Sequence, residues 1–580
     1  MRGFDAIWRK TSTERLQILI ANRHIPLTRP MHIDLDRLSD RTRFESAVCI
    51  VGAGIAGLLL ARQLASRGID VHLLEAGGRT LEPRSQEIYD VQMEGRYHKG
   101  ATEGRFRVFG GSSTRWGGQL LPYTPDVFSP PTGSPSAAWP LTNADVEPHY
   151  AELQKIMHVP DRVPDLRWLK SLEREQVSDC SDINMRFSKW APFSKRNLAK
   201  TIGKECLDSS STTVFFHANV TSIEVNKMSG RADRIIAKNY NGKSHEFHAK
   251  HFVVCVGTIE SCRLLLASTS GFECGIGNTA DQVGRFFHDH ISVAAATLTV
   301  NARRKFVRFF TPLLVEGTLH TPKLEASPSL RKSNHLLAVM AHFAIEEPKG
   351  SGIAAGRDFL RHVQQGRGLN ELPKALLAIP RNSAEIARVL WCAYVRKQRA
   401  ISDRATITLR LDSEQLPCAE SRIRLSAERD ALGMPRAILD WRVSEEEHRT
   451  VQVYGRVVDR FLNRLGVAPL EWRPELWKRD DSWLKLTQDT YHHMGGTRMG
   501  RNPNSSVVDP NLQVHGVANL FVASCSVFPG GGSSNPTFTL MALTLRLAAH
   551  LTKLCRVPVA SYRSKRIDMA TFVPQALAQN

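Results

Sequence analysis

The ten cysteines of this 580-residue chain are scattered, and no two of them form a C-x-x-C pair. That excludes zinc ribbons, thioredoxin-type motifs and c-type haem attachment. A large chain with cysteines so placed reads as reduced and cytoplasmic. Also missing is any unbroken apolar run of the roughly 18–20 residues that a bilayer-spanning helix needs, so no transmembrane segment is expected. The short apolar stretch near the N-terminus is broken by Arg15 and has no small-residue cleavage site after it, so no secretory signal is expected. There is no zinc finger, RNP aromatic set or basic heptad helix, and nucleic acid is not an expected partner. No metal site is expected either. Acid is the scarce charge: 57 Asp+Glu stand against 77 Lys+Arg, a formal net charge of +20. Such a surface favours acidic substrates, polyanions or peripheral contact with a membrane face, and it says nothing about fold.

What is present is globular composition, 42% hydrophobic and 23% charged, in a chain long enough for two or three domains. A continuous apolar run at 47–51 has the character of a strand buried on both faces. It leads into Gly52-Ala53-Gly54-Ile55-Ala56-Gly57, a helical run over 58–67, and a second apolar strand at 71–74 that ends on Glu75. The first glycine permits a tight turn, the second lets backbone approach a pyrophosphate, and the third lets helix pack on strand. The helix N-terminus adds free N–H groups and a positive dipole end for the phosphates. Glu75, 18 residues beyond Gly57, is placed to bind the ribose hydroxyls of an adenosine and would repel a 2′-phosphate. These residues point to a dinucleotide and leave FAD and NAD both open.

A second glycine-rich loop spans 109–118 (FGGSSTRWGG), suited to backbone passing close to a flat ring or phosphate. Residues 129–140 read as a loop and 143–157 as a helix. The apolar strand at 252–256 runs through Gly257 into a helix over 259–267, so a parallel sheet is rebuilt after an excursion. Between about 296 and 484 short strand-like stretches (405–409, 422–425, 437–441) alternate with turns, as in an antiparallel sheet. Within that block, residues 354–400 read as helical and basic, with nine Lys/Arg against three Asp/Glu. This stretch suits an electron-accepting partner, an anionic membrane or simply a solvated insertion.

The C-terminal third carries the chemistry. Tyr491-His492-His493-Met494-Gly495-Gly496-Thr497 puts two histidines before a glycine turn. A strand at 519–523 leads to Ser524, and Gly530-Gly531-Gly532-Ser533-Ser534-Asn535-Pro536-Thr537 opens a helix over about 539–551. Thr537 is placed to cap that helix.

These motifs, in this order, resemble the glucose–methanol–choline (GMC) oxidoreductases, flavoproteins that oxidise alcohols. VGAGIAG with LLEAGG, GGSSTRWGG, VVCVGTIESCRLLLAS, VGRFFHDH, the histidine motif and NLFVASCSVFP with NPT carry the resemblance over roughly residues 45–555. The GGSS-x-x-WGG loop followed by Trp139-Pro140-Leu141-Thr142 looks most like the branch with pyranose oxidase and the gluconate and fructose dehydrogenases. The resemblance implies FAD. It also implies an α/β architecture: a Rossmann-like FAD-binding domain built from discontinuous segments, plus a substrate domain with a mostly antiparallel sheet.

Carried over residue by residue, the resemblance makes His492 the base that takes the hydroxyl proton and Asn535, 43 residues later, its partner at the substrate oxygen. His493 is the alternative base. Gly52, Gly54, Gly57 and Glu75 hold the adenosine half of FAD, and Val220 meets the adenine. Gly110, Gly111, Ser113, Trp116, Ser524, Pro536 and Thr537 lie along the flavin. Pyranose oxidase carries its covalent flavin on a histidine of the loop where this chain has Arg115, so non-covalent FAD is implied; Ser524 stands where the family usually has Asp. The implied reaction is oxidation of a CH–OH group on a sugar-like substrate, with oxygen or an external carrier as electron acceptor. A lyase on the same fold and a non-catalytic FAD-binding partner protein are the competing readings. The expected organisation is an extension at 1–43; an FAD domain from 44–130, 205–295 and 485–556; a substrate domain from 131–204 and 296–484; and a tail at 557–580.

Overall fold

The computed structural model describes residues 31–129, 137–161, 180–299, 303–348, 351–354, 383–467 and 469–556. Three sheets organise them. The first is largely parallel and runs in the order Met31–Asp34, Thr212–Phe216, Val71–Leu74, Arg43–Val51, Ser244–Val254, Arg231–Lys238, Asn219–Asn226, with Leu520–Val522 also beside Ser244–Val254. The five strands from Met31–Asp34 to Ser244–Val254 are parallel, as is Leu520–Val522, and the last two of the order return antiparallel. Val71–Leu74 is buried throughout, which is why it shows no apolar–polar alternation. Phe44, Phe215 and Phe247 close the core under this sheet, with ring centroids 4.7 to 5.0 Å apart. Phe215 and Phe247 are fully buried, and each such ring contributes about 1.5–3 kcal/mol.

The helix after the glycine turn spans Ile55–Ala65, so Gly57 lies in its first turn. A Cβ on Gly57 would stand 1.9 Å from the Gly52 carbonyl oxygen, which forces glycine there. The long helix Pro536–Arg556 packs beside Ile55–Ala65 and Glu147–Ile156. By length and composition it could cross a membrane, but 67% of its most apolar window is buried in the protein. It starts earlier than its apolar pattern suggested: Pro536 is its first residue, so Thr537 lies inside the first turn and is not the cap.

The second sheet has nine strands, every pair of them antiparallel. Its main path is Leu470–Trp472, His290–Leu298, Thr406–Glu414, Val339–Glu346, Thr318–Ala326, Ile183–Trp190, Gln119–Leu120. Thr487–Asp489 joins the edge of His290–Leu298. In the third sheet Arg422–Arg429 pairs with Pro435–Trp441, which runs parallel to Val91–Gly95.

Several sequence-based boundaries move. Met31–Asp34 is a strand of the first sheet, because its register with Thr213 to Phe216 extends the parallel ladder, so the extension ends before it. His290–Leu298 begins inside the segment assigned to the FAD domain yet belongs to the antiparallel sheet, as do Gln119–Leu120 and Thr487–Asp489. The strands at 422–441 do not join that sheet. They pack on the helix Thr258–Ala267, where buried Arg263 donates to the Pro435 carbonyl at 2.7 Å and pairs with Asp430 and Glu260. Within the basic stretch, Ser383–Tyr394 is a helix; residues 355–382 lie outside the described residues, as do 1–30 and the tail 557–580.

Candidate active site

A cavity of about 680 Å³ runs from Glu75 to the His492–Asn535 pair, within the roughly 300–1,000 Å³ of ligand sites. At one end Glu75 is buried, its carboxylate accepting from Gly77 N at 2.9 Å and Ala53 N at 3.1 Å. Burial pushes the Glu75 carboxyl up, and those two N–H donors pull it back. A Cβ on Gly54 would meet nothing within 4 Å, because it would project into the cavity. Gly111 comes close to Gly54, so the two glycine loops frame one passage; a Cβ on Gly111 would stand 3.1 Å from the Gly54 Cα.

Most of the expected cofactor residues line this cavity: Gly52, Gly54, Glu75 and Val220 among them. Gly111 and Trp116, with Ser524, Pro536 and Thr537, line the rest. Gly57 packs helix on strand. Gly110 and Ser113 do not reach the cavity. Ser113 is buried and turned into its own loop, donating to Gly110 O at 2.6 Å and accepting Leu198 N at 3.2 Å, so they shape the loop and leave Ser112 and Gly117 to face the space. Arg115 lines the cavity with its guanidinium over the Phe106 ring.

His492 and His493 diverge. His492 Nε2 lies 3.0 Å from Asn535 Nδ2. The His493 ring turns the other way, against His98 and Phe287 at 5.0 and 6.0 Å between centroids, and Thr258 Oγ1 donates to its carbonyl. Adjacent residues in an extended segment face opposite sides, and only one can meet Asn535. The turn that follows needs its glycines. Gly495 and Gly496 have φ of +74° and +94°, and a Cβ on Gly495 would fall 1.9 Å from the Phe286 carbonyl oxygen.

The loop before Asn535 is tied to the antiparallel sheet. Glu414 Oε1 accepts Gly531 N and Gly532 N, each at 2.9 Å, and Ser533 Oγ donates to Glu325. Asp289, fully buried, organises the opposite side. Its carboxylate accepts the backbone N–H of His290 at 2.6 Å and of His492 at 2.9 Å, and the Thr490 hydroxyl at 2.7 Å. His98 Nε2 lies 3.1 Å away. Burial alone would raise the Asp289 carboxyl, but His98, His492 and His493 outweigh it and hold it well below the usual carboxylate range. His492 also meets His290, Nδ1 to Nδ1 at 3.0 Å, and Thr490 Oγ1 at 2.8 Å. Burial, followed by the neighbouring His290, lowers its pKa to about 4, so the ring is neutral near pH 7. Asp289, His290 and Thr490 were not singled out from sequence, although the first two lie in the VGRFFHDH motif.

A cavity with the glycine turn and Glu75 at one end and a neutral histidine beside an amide at the other fits a flavin-dependent oxidoreductase. The residues fit FAD: an acid for the ribose, bare glycine backbone at the first turn, and a helix N-terminus at the far end. Residues 417–544 match the family described as GMC oxidoreductase, and residues 47–271 match FAD dependent oxidoreductase. The match over residues 417–544 is to the GMC oxidoreductases, and together with the match over 47–271 it supports an FAD-dependent oxidoreductase acting on CH–OH donors. The chain is 22% identical to the fructose dehydrogenase large subunit of Gluconobacter japonicus, over 86% of this chain and 96% of that protein. Paromamine 6′-oxidase of Streptomyces fradiae is 22% identical over 86% and 90%. Among solved structures, pyridoxine 4-oxidase from Mesorbium loti superposes with a TM-score of 0.54 at 16% identity, covering 88% of this chain and 99% of that one, a likeness of fold.

Proposed function

We propose that this protein oxidises a CH–OH group of a sugar-like, hydroxyl-rich small molecule to the carbonyl, with His492 as base. The observation that carries the reading is the His492–Asn535 pair, 3.0 Å apart, at the end of the cavity opposite Glu75. FAD, when bound, accepts the hydride and its electron pair. His492 Nε2 takes the hydroxyl proton, and its lowered pKa keeps it in the accepting form at neutral pH. Asn535 offers an N–H to the same oxygen and so orients it without competing for the proton. Non-covalent binding is the reading for the cofactor.

A sugar-like substrate is supported by the polar face of the antiparallel sheet. Lys323, His342, Arg410 and Asp412 lie on adjacent strands, with Ser292 donating to Asp412. Lys323 and Asp412 both act electrostatically on His492, which supports a polar, charged surrounding for the reacting end. Two relatives, a fructose dehydrogenase and a paromamine 6′-oxidase, agree with it. Electrons then leave to oxygen or to an external carrier. Exposed Trp391, Tyr394 and Val395 beside Arg396 and Lys397 support peripheral contact with an anionic surface, checked by flotation with anionic vesicles.

The test is anaerobic mixing of the yellow protein with sugars, sugar acids, glycosides and simple alcohols while following flavin absorption. Bleaching by one class, lost in His492→Ala, supports the reading, and admitting air separates oxidase from dehydrogenase. A lyase would turn over with its flavin still oxidised.

A further inference from the structure

His492 makes more contacts than a lone base needs. Each constrains where its single proton sits. The Thr490 hydroxyl has committed its hydrogen to the Asp289 carboxylate, 2.7 Å away, so it can only accept from His492 Nδ1 at 2.8 Å. Asn535 Nδ2 approaches Nε2, and an amide nitrogen only donates. Both contacts demand His492 with hydrogen on Nδ1 and a lone pair on Nε2. His290, 2% exposed, stands at 3.0 Å from that same Nδ1. Its other nitrogen, Nε2, faces the Gly531 carbonyl at 3.2 Å, which can only accept. His290 therefore keeps its hydrogen on Nε2 and points a lone pair at His492. The contacts run in one direction, from Asn535 through His492 and His290 to Gly531.

We propose that His290 is a positioning residue that receives the His492 Nδ1 proton when His492 takes a proton from the substrate. This rests on the function proposed above. The substrate O–H proton bonds to His492 Nε2 as the C–H hydride leaves, with its electron pair, for oxidised FAD, and a C=O bond forms. The Nδ1 proton of His492 crosses to His290 Nδ1. His492 is left neutral, His290 carries the positive charge, and no proton is created or lost. The charged groups around the pair are Asp289 and Asp412, which favour that charge, and Lys323, which opposes it. Fixing a base's tautomer through its second nitrogen is a general device. Here the fixing group is a second imidazole, able to take the proton itself.

The chain with selectively ¹⁵N-labelled histidine tests this directly. The expected result is a ¹⁵N–¹⁵N coupling across the Nδ1···Nδ1 hydrogen bond, lost in His290→Leu. In the FAD-loaded protein His290→Leu should lower kcat/KM by at least about tenfold, with flavin absorption and Tm kept. His290→Asn, whose amide oxygen stands in for Nδ1 as acceptor, should recover part of it. The solvent proton inventory should be curved in the wild type and linear in His290→Leu. Absence of the coupling would overturn the proposal, as would wild-type kcat/KM in His290→Leu or equal losses in both variants with a linear inventory throughout. If no alcohol reduces the flavin, the reading of function fails, while the coupling still decides the histidine pair.

Discussion

His492 and Asn535 meet at 3.0 Å although 43 residues of chain separate them. His492 follows an edge strand of the antiparallel sheet, and Asn535 precedes the long buried helix. Their encounter makes the cavity end chemically competent. Removing either residue should therefore cost rate without costing cofactor. His492→Ala is expected to lower kcat/KM by about 10²–10⁴ and Asn535→Ala by about 10²–10³, both with wild-type flavin spectra. A His492→Ala enzyme that still reduces its flavin at the original rate would remove His492 from the base role.

The pH profile follows from the same ring. Burial, then His290, brings the His492 pKa down from 6.5 to about 4, so the accepting form dominates above about pH 5 and is lost as pH falls through about 4. kcat/KM should stay level between pH 6 and 8 on the acid side. Rapid acid jumps with flavin reduction as the signal keep slower unfolding out of the measurement. A base that titrates between pH 7 and 6 would contradict the buried, His290-facing environment.

Glu75→Gln tests the adenosine end. The amide keeps an acceptor for one of the Gly77 and Ala53 N–H groups and replaces a ribose acceptor with a donor. FAD affinity should fall about tenfold, which is about 1.4 kcal/mol, read by cofactor release on dialysis. Undiminished retention of FAD would mean that the carboxylate serves only the turn.

Lys323 is buried, and burial lowers its pKa, with Asp412 acting the other way. Because its charge also acts on His492, Lys323 should bias the site toward substrates with negative charge. Lys323→Met is expected to raise KM for a sugar acid about tenfold, a cost of about 1.4 kcal/mol, and to change KM for the neutral sugar far less. Equal changes for both would show that Lys323 serves packing.

Much of the cofactor half was legible because its determinants are local. Strand, glycine turn, helix and acid follow one another within residues 43–75, and each element's pattern states its burial. The His492–Asn535 pair was legible through family resemblance, since nothing in the residues between them fixes a spatial meeting. Asp289, His290 and Thr490 escaped because their roles exist only once Thr487–Asp489 has paired with His290–Leu298. Gly110 and Ser113 share a motif with Gly111 and Trp116, yet motif membership cannot tell which way a side chain turns. The strands at 422–441 looked like any antiparallel pair, and their partner, Val91–Gly95, lies over three hundred residues upstream.

Thr487–Asp489 is three residues long and pairs with one strand, with Ile291 opposite Asp489. That register sets His290 beside Thr490, and a slip of the short strand by one residue would turn the side chains of Asp489 and Thr490 to the opposite faces. So short an edge segment opens locally at a far smaller free-energy cost than melting the nine-stranded sheet. On gentle warming, turnover should fade while circular dichroism and flavin colour still report an intact protein, and cooling should bring it back. The enzyme's working temperature ceiling is then set by three residues at a sheet margin, well below the temperature at which the cores come apart.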